Sequence, residues 1–380
     1  MSKNNKILSI LLVLMVFGLA IGIGSAISCD AFPRLGEGPE LIDEAWSEIL
    51  SNYVDRDNID TATLSHGAIE GMIEALDDPY SFFMTAEEYE VYSSSFEGEF
   101  EGIGAYVSLD EDGLIIITAL IDDSPAEKAG ILAGDKIAEV EGELVENMTF
   151  TEALLKIRGP EGTSLNLLIV REEVEEPFTV TVIRGKVEVA SVMLEMKGYY
   201  AHIIITNFTD RTGEEMAEIL ESINQDATEG IILDVRGNPG GTVQTVVMVA
   251  SHFISNGTIL DIRDNQGQIT TYEREDVLPF VSLPVIVLVD EFSASGSEVL
   301  AGALQDHSRA VIAGTTTFGK GSVNNIISFS DGSAIFLTVA RWLTPDGHLI
   351  EGQGITPDIE IDITGDDAIQ WAIEYLENNN

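Results

Sequence analysis

Basic residues and cysteine are the scarce side chains of this 380-residue sequence. Only 19 Lys plus Arg stand against 65 Asp plus Glu, a formal net charge of −46, and Cys29 is the single cysteine. Nucleic acid or an anionic lipid surface needs a basic face that draws in phosphates, so neither is expected as the main partner. One cysteine excludes an intramolecular disulfide. Histidine is sparse too: His66, His202, His252, His307 and His348 are scattered, and none sits in a triad pattern. No Cys or His cluster has metal-site spacing, so the sequence calls for no metal and no cofactor. What remains is an ordinary globular composition, 45% hydrophobic and 22% charged, under a solvated acidic surface of the kind a salt-adapted host also shows.

There is one long hydrophobic run. Lys3 and Lys6 precede an uncharged stretch from Ile7 to Ile27, 21 residues, which is long enough to span a bilayer as a helix. The leading positive charges would hold the N-terminus in the cytoplasm and send the rest outside. A cleaved signal peptide is the close alternative. Lipidation at Cys29 is a third reading, although Ala26 in "AISC" stands where a lipobox carries a larger aliphatic residue. Residues 1–29 therefore read as a signal peptide or membrane anchor. The remainder is expected to be extracytoplasmic, periplasmic or at the cell surface, either membrane-anchored or secreted.

After a Pro- and Gly-rich linker, residues 40–95 show helical periodicity in "LIDEAWSEILSNYV", "LSHGAIEGMIEAL" and "TAEEYEVYSSSF", with "DDPYSFFM" as a turn and an aromatic plug. Residues 96–183 read as a small β-rich domain: "GIGAYVSL", "GLIIITAL", "DKIAEV", "TSLNLLIV" and "FTVTVI" are strands, and "SPAEKAG" and "TFTEALLKI" are short helices. Over residues 187–364 strands and helices alternate, which predicts an α/β layer of parallel strands with its site at their carboxyl ends. Residues 366–380 form a helical tail. The fold class is a multidomain α/β protein.

Three segments at strand ends carry candidate chemistry. "VDEFSASGSEVLAGALQDH" places Ser293, Ser295 and Ser297 at a strand-to-helix turn, where a hydroxyl is exposed and the helix N-terminus offers free N–H groups. Serine is also the favoured helix cap, so this segment alone does not make a nucleophile. "TTTFGKGSVNN" holds Lys320 between two glycines. Beside apolar groups such as Phe318, its amine would lose its proton more readily and could act as a base. "DVRGNPGG" forms a tight turn in which Gly240 and Gly241 can aim N–H groups at an oxyanion. Asp234 and Arg236 beside it read as a structural ion pair.

Together, in this order, these segments resemble the carboxy-terminal processing (tail-specific) peptidases, serine proteases with a Ser–Lys dyad. The resemblance extends over "ALDDPYSFF", a PDZ domain at 96–183 with "GIGA", "SPAEKAGILAGDKI" and "IRGPEGT", and a peptidase core at 187–364 with "DVRGNPGG", "SASGSE" and "TFGKGSV". It implies a ClpP/crotonase-like core. It implies Ser295 as nucleophile and Lys320 as base, with Asn324 at the place of a glutamine that orients the lysine. Gly240, Gly241 and Gly296 would form the oxyanion hole, Gly296 replacing the family's usual alanine. Gly102, Ile103, Gly104 and Ala105 would take a substrate's C-terminal carboxylate. Arg158, in "IRGPEG", is our candidate for coupling the PDZ domain to the core, the alternative being an ordinary surface arginine. The 17 acidic residues and two lysines between Glu87 and Asn147 lead us to expect protein or peptide substrates with apolar or neutral C-termini. The resemblance leaves homo-oligomerisation open. The competing reading is a catalytically weak or silent PDZ-based adaptor that binds tails.

Overall fold

The computed structural model describes residues 38–379, apart from 110–113, 149, 173, 175, 225, 363 and 364. The signal or anchor segment at 1–29, with Cys29, lies outside the described residues. Among the described residues no helix is long and apolar enough to cross a membrane.

The chain divides into two units, one up to Gly67 and one from Ala68 onward. The first contains α1 (Gly38–Asn52) and the start of α2 (Thr61–Glu74). Asp60 begins α2, accepting from the Ala62 N–H at 2.9 Å and the Thr63 hydroxyl at 2.9 Å, which satisfies donors the first turn leaves free.

In the larger unit "SFFM" forms a strand, β1 (Phe82–Met84), and not a plug alone. It is followed by α3 (Ala86–Glu97), opened by a reciprocal capping box between Thr85 and Glu88 and closed by Gly98 at φ +71°. β2 (Glu99–Gly102) leads into the small domain of β3 (Ala105–Leu109), β4 (Ile115–Leu120), α4 (Pro125–Lys128), β5 (Lys136–Val140), β6 (Glu143–Leu144), α5 (Phe150–Ile157), β7 (Ser164–Val170) and β8 (Phe178–Ile183). β9 (Gly185–Glu188) leaves it by pairing back on β2. The sheet runs β3-β4-β5-β7-β8, all antiparallel, so among the described residues β3 is an edge strand with one side unpaired. The period-2 pattern of β7 buries Leu165, Leu167 and Ile169 against Ile115, Ile117 and Ile137. Each such side chain contributes roughly 1.5–3 kcal/mol.

The core consists of β10 (Val192–Lys197), β11 (Tyr200–Ile205), α6 (Thr212–Ser222), β12 (Gly230–Asp234), α7 (Val243–Ser251), β13 (Thr258–Asp264), β14 (Ile269–Glu273), β15 (Val285–Val289), α8 (Gly296–Asp306), β16 (Val311–Gly314), β17 (Ser322–Ser328), β18 (Ala334–Leu343), β19 (Ile359–Glu360) and α9 (Gly365–Asn379). One sheet has the order β10-β11-β12-β15-β16-β19, parallel from β11 onward. β12 and β15 are buried along their whole length, as "GIILD" and "VIVLV" require of strands covered on both faces. Residues of α6, α7 and α8 cover one face; Ala368, Ile369, Ala372 and Leu376 of α9 cover the other.

The single parallel layer expected from the alternation is incomplete. β1, β13, β14, β17 and β18 form a second, antiparallel sheet. Only five residues, 329–333, join β17 to β18. That is too short for the crossover a parallel pair needs.

Candidate active site

Asp290 directly follows β15, and its Oδ1 accepts from the N–H groups of Gly237, Phe292 and Ser293 at 2.9, 3.0 and 2.9 Å. These bonds fold "DEFSASGS" back over the "RGNPGG" loop after β12. The three serines then separate by environment. Ser293 is fully buried and donates from Oγ to the Val235 carbonyl at 2.8 Å, and Ser297, also buried, donates to the Asn238 carbonyl at 3.0 Å. Both hydroxyls fasten the turn. Ser295 lines a cleft of ≈ 650 Å³. Its backbone sits at φ +52°, ψ −110°, a conformation that costs a non-glycine residue about 1–3 kcal/mol and is concentrated at functional turns.

The glycines of the facing loop are required by close approach. A Cβ on Gly240 would lie 2.7 Å from the Gly296 nitrogen and 2.8 Å from Ser295 Cβ; one on Gly241 would lie 1.9 Å from the Phe208 carbonyl oxygen. The two donors differ. The Gly240 N–H is bonded to Asn238 Oδ1 at 2.8 Å. Phe208 bridges Gly240 O and the Thr242 N–H, so the Gly241 N–H points to the opposite side. Gly296 opens α8, where N–H groups lack intrahelical partners. An alanine there would bring its Cβ 2.8 Å from Val246 Cγ2, which gives a packing reason for glycine at this position.

Lys320 lines the same cleft. Its ammonium is 5.5 Å from the Tyr80 ring centroid and 5.6 Å from that of Phe336. Burial holds its pKa below the ordinary lysine value, against the opposing pull of Glu351, Asp78 and Glu298. The apolar neighbour anticipated from the sequence is therefore corrected. Phe318 is 53% exposed, because its N–H is tied to the Ser293 carbonyl and its ring turns outward. Tyr80, from the turn before β1, and Phe336 take its place.

Asn324 also lines the cleft, but its amide is engaged elsewhere. Nδ2 donates to the Tyr80 carbonyl at 3.0 Å and to Thr338 Oγ1 at 2.9 Å, and Oδ1 accepts from the Ser322 hydroxyl at 3.2 Å. A bulge between Val323 and Asn324 interrupts the register with β18 here.

Sequence reasoning passed over Glu298. It is completely buried, and its carboxylate accepts from the N–H groups of Ser295 (2.8 Å), Gly319 (2.7 Å) and Lys320 (2.9 Å) and from Thr317 Oγ1 (2.6 Å). One side chain thus fixes the backbone of the serine turn to the backbone of the lysine loop. Burial pushes this carboxyl above its ordinary range, and the four donors oppose that shift. The signal was the S-x-x-E spacing from Ser295, which reads as a helix cap and nothing more. Glu298→Gln presents an NH₂ group to a set of four donors. It is expected to cost about 1–3 kcal/mol of stability and about a hundredfold in kcat with a smaller change in KM, measured by thermal unfolding and steady-state peptide cleavage.

The remaining candidates lie away from this cleft. Asp234 holds Arg236 in a two-point contact at 2.8 and 2.6 Å, and His202 Nε2 lies 3.0 Å from the same carboxylate. His252 and His307 bond backbone carbonyls. In the small domain the carbonyls of Ile103 and Gly104 accept from the Ala126 and Ile121 N–H groups. Gly102 pairs with Gly185, and Ala105 begins the edge strand β3. Arg158, just past α5, stacks 5.0 Å over the Phe100 ring beside a cavity bordered by Glu90, Glu99, Glu101 and Lys186.

Residues 199–361 match the model of peptidase family S41, 116–171 that of a PDZ domain, and 33–88 that of the activating protease CtpB N-terminal domain. The carboxy-terminal processing protease CtpB of Bacillus subtilis is 37% identical over 327 residues, 85% of this chain and 67% of that protein. The chain belongs to peptidase family S41. The carboxy-terminal-processing protease of Bartonella bacilliformis is 38% identical over 308 residues, 80% of this chain and 70% of the relative. Among solved structures, the photosystem II D1 C-terminal processing protease superposes with a TM-score of 0.53 at 27% identity, covering 86% of this chain and 88% of that one. This S41 peptidase is a serine-type carboxy-terminal processing endopeptidase, and the silent-adaptor reading is not favoured.

Proposed function

We propose that this S41 peptidase cleaves extracytoplasmic proteins with Ser295 as nucleophile and neutral Lys320 as base. Lys320 takes the Ser295 Oγ proton as Oγ attacks the peptide carbonyl, forming the C–O bond. The oxyanion is received by the N–H groups of Gly241 and Gly296, while Gly240 serves by its lack of a side chain. Lys320 then passes the proton to the leaving amine as the C–N bond breaks, and water releases the acyl group by the reverse proton route. The observation that carries this reading is a strained serine and a half-buried, pKa-lowered lysine lining one cleft. With helices on both faces of its parallel sheet, the core is assigned to the ClpP/crotonase-like folds.

Substrate choice is assigned to the PDZ domain. The Ile103 and Gly104 N–H groups make no hydrogen bond to a described residue, and a tail whose carboxylate they held could extend along edge strand β3. Apolar or neutral tails suit the acidic surroundings. Arg158 is assigned the coupling of tail binding to the core, since it lies between α5 and Phe100 of β2, the strand that leads into the GIGA loop. Residues 1–29 are assigned as signal or membrane anchor.

The test compares an unstructured substrate ending in an apolar tail with the same substrate ending in two aspartates. The apolar tail should raise kcat/KM about tenfold or more, and Arg158→Ala should shrink that ratio while a short tail-less peptide is still cut. Equal rates for both tails would remove the PDZ domain from substrate choice.

A further inference from the structure

Tyr80 and Asn324 are 244 positions apart in the chain and are joined by a hydrogen bond at the cleft wall. The Tyr80 carbonyl can only accept, so the Asn324 NH₂ must face it, and the Oδ1 then faces Ser322. Further contacts hold the turn that carries Tyr80. Asp78 accepts from the Tyr80 N–H at 3.2 Å and the Ser81 hydroxyl at 2.6 Å, Ser81 Oγ accepts from the Thr338 N–H at 3.0 Å, and Phe82 packs on Phe336 at 5.1 Å between centroids. The Ser81–Thr338 and Phe82–Phe336 contacts draw the "DPYSFF" segment onto β18, and the Asn324 bond ties it to β17. The Lys320 ammonium makes no ion pair or hydrogen bond with a described residue; the Tyr80 and Phe336 rings are what it faces.

We propose that Asn324 is a positioning residue that acts on Lys320 through Tyr80: its amide clamps the Tyr80 carbonyl so that the Tyr80 ring, with Phe336, shields the Lys320 amine from water. The role of Lys320 as base is taken from the function proposed above. A ring face attracts an ammonium, but by excluding water it also removes the hydration that keeps the amine charged. Burial is the larger effect here, and it lowers the lysine pKa. The charged groups around the pair are Glu351, Asp78 and Glu298, facing Lys320, and Arg341, which acts on Tyr80 and Asp78. None of them changes in the experiment below.

The test titrates Lys320 directly in the full chain carrying Ser295→Ala, by carbon NMR of lysine labelled at Cε, with the resonance assigned by its loss in Lys320→Arg. Tyr80→Ala is expected to raise the midpoint by about one pH unit, a tenfold loss of neutral amine at a given pH. Tyr80→Phe, which keeps ring and backbone, should retain the wild-type midpoint. Asn324→Ala should raise the midpoint, and the double variant with Tyr80→Ala should go no higher than Tyr80→Ala alone. In protein with Ser295 intact, the rising limb of kcat against pH should move with the midpoint. An unmoved midpoint in Tyr80→Ala, or additive shifts in the double variant, would overturn the proposal and have Asn324 act on the lysine directly. If Tyr80→Ala fails to fold, Asn324→Ala decides in its place: a raised midpoint supports the clamp and an unmoved one overturns it. A midpoint that shifts while the kcat limb stays in place supports the clamp and instead overturns Lys320 as the base.

Discussion

Ser295→Ala is expected to lower peptide cleavage by on the order of 10⁴-fold or more while leaving the thermal unfolding midpoint close to wild type. Removing Oγ deletes the atom that forms the new bond in the proposed mechanism. The fold should tolerate the loss, because the Ser295 backbone bond to Glu298 does not involve the side chain. The flanking serines should behave in the opposite way. Ser293→Ala breaks the bond to the Val235 carbonyl and leaves the Asp290 N–H without its serine acceptor. It is expected to cost about 1–3 kcal/mol and to keep measurable turnover. Ser297→Ala loses one bond to Asn238 and should keep turnover as well. The check is steady-state cleavage with product masses, alongside thermal unfolding for each variant. Full activity in Ser295→Ala, or inactivity of Ser293→Ala in fully folded protein, would reassign the nucleophile.

Lys320→Arg is the second large effect. It keeps the positive charge but removes the proposed base, because a guanidinium stays protonated at any working pH. General-base catalysis is worth about 10²–10⁴-fold, and a loss at the upper end is expected because the Ser295 proton then has no acceptor. The pH dependence has a definite sign. In the proposed mechanism the neutral amine is the active form, so kcat is expected to rise as pH increases through the Lys320 pKa. Burial lowers that pKa from the ordinary lysine value of 10.5, so the limb should lie below that of a solvated lysine. Lys320→Ala should regain part of its activity on addition of a small primary alkylamine, which fits the space vacated in the cleft, whereas Lys320→Arg should not. Turnover by Lys320→Arg with an unchanged pH profile would require another base.

Some of this was legible in the chain because it is written locally. The runs "GIILDV" and "PVIVLVD" are too apolar for anything but strands covered on both sides, and β12 and β15 are buried throughout. "TAEE" opens α3 because the Thr85–Glu88 capping box closes within four residues. The glycine and serine motifs lie at strand ends, where a parallel sheet collects its loops. Their spacing and order suffice for the resemblance to carboxy-terminal processing peptidases, and the relatives show the family.

Tertiary structure decided what depends on groups far apart in sequence. "NNIISFS" and "AIFLTVA" have the composition of any buried strand, and only the five-residue turn between them and the pairing of β1 with β18 place them in a separate antiparallel sheet. Phe318 and Phe336 are equally apolar, but backbone bonding turns the first outward and sheet register turns the second onto Lys320. Gly240 and Gly241 are adjacent in sequence, and Asn238 and Phe208 decide which N–H is left for the cleft. The buried carboxylate of Glu298 reads as a helix cap until Thr317, Gly319 and Lys320 are folded onto it. A local pattern records what one segment prefers in water. Which partner a polar group meets, and which charge loses its water, is set by long-range packing, and that is where the chemistry of this site is determined.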